Sequence, residues 1–162
     1  MGQLAFFGIY SLVSGPAQMQ MKRKFTVSES SSLQSLLTFH LCHTNPVNLA
    51  VNLGFLGTFG AYHYRTMGRR SFITLFAIGS IAASIAVYAD ARTNSKQVQA
   101  GSFGGSMALL THTAFRNPAY FGLMRIAPLS MVAGAAAYGI YFDDAAIVGG
   151  IIGGYSAFLL AL

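Results

Sequence analysis

The sequence predicts an all-α integral membrane protein, a bundle of six transmembrane helices forming one domain over residues 1–162. Three observations carry this. Hydrophobic residues make up 54% of the chain and charged residues only 9%, at a mean hydropathy of +0.53. Soluble domains carry roughly 25% charged residues, which they need to cover their surface. Uncharged windows run over 1–21, 30–64, 71–89, 97–115, 126–142 and 145–162; each is long enough, within the usual ~17–25 residues or beyond, for a helix that crosses a hydrocarbon core. Finally, these runs lack strand alternation, and lipid admits only helices and closed barrels.

The first helix is expected over residues 4–19, kinked at Gly15-Pro16, which a bundle tolerates because neighbours re-satisfy the backbone. Residues 22–38 form the main polar connection, centred on Ser28–Ser32. Pro46 opens the second helix, 46–64, proline being at home in a first turn. Gly68-Arg69-Arg70 is a tight turn into the third, 71–89, and a polar loop follows over 90–99. The fourth, 102–116, stops before Asn117-Pro118; the fifth covers 121–142; Asp143-Asp144 separate it from the sixth, 145–162. The N-terminal stretch has its basic cluster after the apolar run and lacks the character of a cleaved signal or a mitochondrial presequence, so an organellar address would be internal or already removed.

Ten Lys/Arg against four Asp/Glu give a net charge of +6. The cations are spread through the loops, which excludes a nucleic-acid surface and suits attraction to anionic lipid headgroups. Arg65, Arg69, Arg70, Arg116 and Arg125 fall on one side of the predicted topology, and Lys22, Arg23, Lys24, Arg92 and Lys96 on the other. The positive-inside rule therefore assigns no orientation. Cys42 is the single cysteine, so no intramolecular disulfide forms.

Four groups of residues bear on chemistry. Gly104-Gly105-Ser106 sets a serine hydroxyl behind two glycines at the start of a helix, a setting that allows close helix approach and an oxyanion-binding backbone beside a nucleophile. Glycine and serine also recur in membrane helices simply because they let backbones meet. Asn48 and Asn52 lie one turn apart on one face, where their amides serve either as oxyanion donors or as interhelical hydrogen-bonding groups. Of the histidines, His112 follows Ser106 by six residues, about 240° around the helix and ~9 Å along it, and so cannot be its base. His40 and His43 fall in a loop and at a helix mouth; with His63 they are too few and ill-spaced for a metal site, and no cofactor is implied. The pairs Gly149/Gly153 and Gly150/Gly154 give the last helix a smooth face for close contact with another helix.

Together these segments resemble the rhomboid family of intramembrane serine proteases over residues 25–162, and particularly its mitochondrial, presenilin-associated branch. His43 and Asn52 match the first histidine and the asparagine of the family's helix-2 pattern, with Asn48 in place of its second histidine. Gly104-Gly105-Ser106 matches the family's Gly-x-Ser-Gly, with Met107 in place of the last glycine. In helix 6 the mitochondrial members carry Phe-Asp-His-Ala-Ala-His-Leu-Gly-Gly, the second histidine being the general base. This chain reads Phe142-Asp143-Asp144-Ala145-Ala146-Ile147-Val148-Gly149-Gly150, so Ile147 stands at the base.

The resemblance implies a serine–histidine dyad, and losing one member of such a unit costs several orders of magnitude in rate. The chain is thus expected to be an inactive rhomboid-like protein in which Ser106, Asn52, Asn48 and Ile147 are vestigial. Its expected role is a scaffold or accessory subunit among other integral membrane proteins, in a respiratory, ATP synthase or protein-import assembly of the mitochondrial inner membrane. The competing expectation is an active protease using His43 or Asp144 as an unorthodox base. No charged residue in the interior of a predicted span marks a channel or transporter pathway.

Overall fold

The computed structural model describes residues 2–27, 35, 38–41, 43, 46–93, 103–119, 127–142 and 144–161. Regular structure among these residues is helical: α1 (Gly2–Leu12), α2 (Pro16–Phe25), a 3-10 turn (Phe39–Leu41), α3 (Pro46–Phe55), a π segment (Leu56–Gly60), α4 (Ala61–Thr93), α5 (Phe103–Arg116), α6 (Pro128–Tyr141) and α7 (Ala145–Leu159). The expected loop 90–99 and the segments 121–126 and 28–34 fall wholly or partly outside the described residues.

The uninterrupted run Pro46–Thr93 is long and apolar enough to cross a membrane, and Ala145–Leu159 is apolar but shorter. The run does not continue straight. Gly68 has φ 82° and ψ 171°, outside the helical region, and glycine adopts positive φ without the clash a Cβ brings. Twelve residues of straight helix would set Gly60 and Phe72 about 18 Å apart. Instead, a Cβ on Gly60 would stand 3.2 Å from the Phe72 ring, and the Tyr64 and Phe72 rings meet edge to face with centroids 6.4 Å apart. The chain folds back at Gly68 into two legs, each of about the ~20 residues a span requires.

The helix boundaries differ from expectation in four places, one of them inside the expected 121–142 helix, where Ala127 at ψ 128° is the non-helical cap and Pro128 opens α6. Residues 4–19 are not one kinked helix: Gly15 at φ 60° separates α1 from α2, and α2 carries the helix through Lys22-Arg23-Lys24 to Phe25, into the expected connection. Residues 65–70 are helical apart from Gly68, so the 46–64 and 71–89 helices abut, and the second leg reaches Thr93. At the C-terminal end α7 stops at Leu159, with Leu160 as its cap and Ala161 at φ 55°.

α5 is the central element: every residue from Gly104 to Ala114 is buried. It is held by the second leg of α4 and by α7, with α3 and α6 on its remaining sides. Val27 and Phe39 join Ala83, Val87, Ala91 and Ala146 in a second apolar cluster, which ties the residues just after α2 and the 3-10 turn to the second leg of α4 and the first turn of α7. His40 in that turn meets Ser84 of α4, Nε2 to Oγ 3.0 Å. Ser84 gives its own proton to the Ser80 carbonyl, so the imidazole Nε2–H is the donor. Burial pushes His40 down to about 4, which keeps it neutral. Ile85, Ile140 and Leu160 are 66%, 71% and 70% exposed, a perimeter suited to acyl chains rather than water.

Candidate functional site

Ser106 lies in the first turn of α5, fully buried, and its hydroxyl donates to the side-chain oxygen of Asn52, itself fully buried on α3. The amide accepts a hydrogen bond but is no base: nothing in this pair removes the serine proton. The two glycines ahead of Ser106 have other neighbours. A Cβ on Gly104 would strike the Ala83 methyl and one on Gly105 would meet the Phe76 ring, 2.5 Å away. Both are therefore required by the contact with α4, whatever the serine does.

Beside Ser106 a lateral groove of ≈ 380 Å³ opens between α3, α5, α6 and α7. Its walls are mainly apolar: Val47, Val51 and Phe55 from α3, Phe103 and Met107 from α5, Met131 and Ala135 from α6. Asn48, Tyr138 and Asp144 are its polar members. Ile147 completes the lining from the first turn of α7 and belongs to the same apolar cluster as Met107. Asn48 and Asn52, alike on the sequence, have separate surroundings: Asn48 is exposed on the groove and Asn52 is sealed against Ser106.

Asp144 is the N-cap of α7, accepting the Ile147 N–H at 3.3 Å. An acid caps a helix start because it satisfies an orphan amide and faces the positive end of the dipole. Burial nevertheless outweighs the backbone hydrogen bonds and raises its pKa. Gly139 admits this corner: a Cβ there would lie 3.2 Å from Ile147 Cγ2 and 3.3 Å from the Asp144 carbonyl.

The four glycines of α7 bind it to its neighbours. Gly150 faces Gly104, so that a Cβ would fall 2.6 Å from the Gly104 Cα, and Gly154 faces Ala108 at 2.7 Å. On the adjoining face Gly149 and Gly153 meet α4, their Cβ positions 2.7 Å from Ala83 Cα and 3.0 Å from Gly79 Cα. Two stripes of glycine thus engage two different helices.

A polar cluster that the sequence does not announce lies deeper. Thr113 donates to the Leu109 carbonyl at 2.8 Å and receives His63 Nε2–H at 2.9 Å. His63 Nδ1 stands 3.1 Å from Met67 Sδ, and its ring meets His112 edge to face with centroids 5.0 Å apart. Asn117 then donates to the Tyr62 hydroxyl at 3.1 Å. These groups pair residues some fifty positions apart, and no local pattern signals them. His112 points into this cluster with His63, and His43 is buried at the mouth of α3. Among the described residues no group of three or more His, Cys, Asp or Glu is placed to hold a metal.

A family model described as Rhomboid domain matches residues 30–162. No curated protein and no solved structure matches the chain.

Proposed function

Because the chain belongs to the rhomboid family of integral membrane proteins, we propose that it acts as a proteolytically inactive member, a membrane scaffold or accessory subunit that holds neighbouring transmembrane helices. The observation that carries this reading is Ile147, an aliphatic side chain at the position the resemblance assigns to the base, lining the groove beside Ser106. An alkyl group takes no proton, and Ser106 spends its hydrogen bond on an amide. Asp144, one of the two alternative bases beside His43, is engaged with the start of α7.

The apolar groove supports lateral contact with another membrane helix, since helices meet in lipid through close van der Waals fit. The six-helix topology and a place in a mitochondrial inner-membrane assembly rest on the resemblance to the presenilin-associated branch. A fluorophosphonate probe should leave Ser106 unlabelled. Labelling that disappears in Ser106→Ala would instead establish an active protease with an unorthodox base. Mild detergent extraction should recover the chain in stoichiometric association with other membrane subunits of the inner-membrane fraction; recovery solely as a monomer contradicts the scaffold role.

A further inference from the structure

A second recess lies on the opposite flank of the α3–α4 hairpin, independent of the groove beside Ser106. It is a shallow, open recess of ≈ 480 Å³ lined by Leu56, Gly60, Ala61, Tyr64, Arg65 and Phe72. The π segment helps to shape it. Ala61 N–H reaches back to the Leu56 carbonyl, five residues away, which widens the helix locally, and such segments recur at functional sites. Gly60 contributes no side chain, so Phe72 of the returning leg closes the floor.

We propose that this recess binds one anionic phospholipid, an acyl chain lying along Leu56, Gly60 and Phe72 and the phosphate held by Arg65 and Arg69. Dimensions support the placement. Leu56 and Arg65 are nine residues apart, about 14 Å of helix, close to one leaflet's share, ~15 Å, of a ~30 Å hydrocarbon core. Arg65 therefore stands at headgroup level when Leu56 stands near the midplane. Charge supports the choice of an anionic lipid. Arg65, Arg69, Arg70 and Arg116 are all exposed at the Gly68 end of the bundle. The described acids lie at the other end: Asp90 is far along the second leg, and Asp144 opens α7, which runs antiparallel to that leg through Gly149–Ala83 and Gly153–Gly79. The four cations described at this end are arginines, whose planar fork matches phosphate oxygens better than an ammonium does.

The test uses the full chain, delipidated in neutral detergent and offered phosphatidylglycerol or phosphatidylcholine with the same acyl chains. Bound lipid is counted by native mass spectrometry. Phosphatidylglycerol should be retained in preference, and Arg65→Gln and Arg69→Gln should each reduce that preference about fivefold. Ala61→Phe, which fills the recess from a half-buried position, should reduce retention of both lipids. Arg92→Gln, at the far end, should change neither. Equal retention of the two lipids overturns the proposal, as does an Arg92→Gln loss matching that of Arg65→Gln. Displacement of phosphatidylglycerol by glycerol phosphate alone also overturns it, because it would report a phosphate site with no acyl component.

Discussion

Where α4, α5 and α7 meet one another, the helices lie in close contact: Gly79, Gly104, Gly149, Gly150, Gly153 and Gly154 leave no room for a methyl group. On the side of α3 and α6, Gly54, Gly57 and Gly134 have nothing within 4 Å of where a Cβ would stand, and a groove of ≈ 380 Å³ remains open. One residue type thus serves two purposes. In lipid no hydrophobic force drives helices together, so close contact must come from shape. The first region supplies that shape and forms the fixed core, while the second leaves a surface for something else to cover.

The sharpest way to break this contrast is a methyl group. Gly150→Ala forces a Cβ against the Gly104 backbone and should cost about 1–3 kcal/mol or more, read as a lowered unfolding midpoint in detergent. Gly134→Ala, by comparison, should be neutral or stabilising by about 0.5–1 kcal/mol, because alanine suits a helix better than glycine. Equal losses at both positions would erase the distinction between the two regions.

A smaller effect is expected at the border, where Asp144 belongs to the start of α7 and to the groove. Asp144→Ala should cost about 1 kcal/mol through loss of the cap, whereas Asp144→Asn keeps an acceptor and should restore most of it. The raised pKa adds a pH signature. The folded chain retains a proton that the unfolded chain has released, so this contribution to stability falls as pH rises from the ordinary value of 3.8 through the raised one. Asp144→Asn should remove that slope from the pH dependence of the unfolding midpoint.

The smallest expected effect concerns Ser106 and Asn52. A double-mutant cycle of Ser106→Ala with Asn52→Ala should give a coupling of about 0.6 kcal/mol, as for other hydrogen bonds between membrane helices. A structural pair shows that coupling in stability and nothing in fluorophosphonate reactivity.

Much of this architecture was legible because it is written in local chemistry. Charges at the ends of apolar runs mark helices, Gly68 marks the fold-back, and glycines four apart in 149–154 mark contact faces. Gly15 was legible as an irregularity but not as a full break, since the angle between α1 and α2 depends on a positive φ that sequence does not state. The site was legible in its residues more than in its partners. Ser106 and Asn52 stood out separately, and only the bundle shows that one donates to the other. The His63–Thr113 contact was hidden for the same reason, as was the π segment. There Thr58 donates to the Gly54 carbonyl at 2.8 Å, a back-bond of the kind that bends helices.

Gly68 has a consequence for topology that reaches past its own turn. Because the chain reverses there, Pro46 and Thr93 emerge at the same end of the bundle, while the turn and its arginines emerge at the other. α5 in turn begins toward the end of the bundle from which the hairpin set out, with Gly104 against Ala83 of the second leg and Ala108 against Gly79.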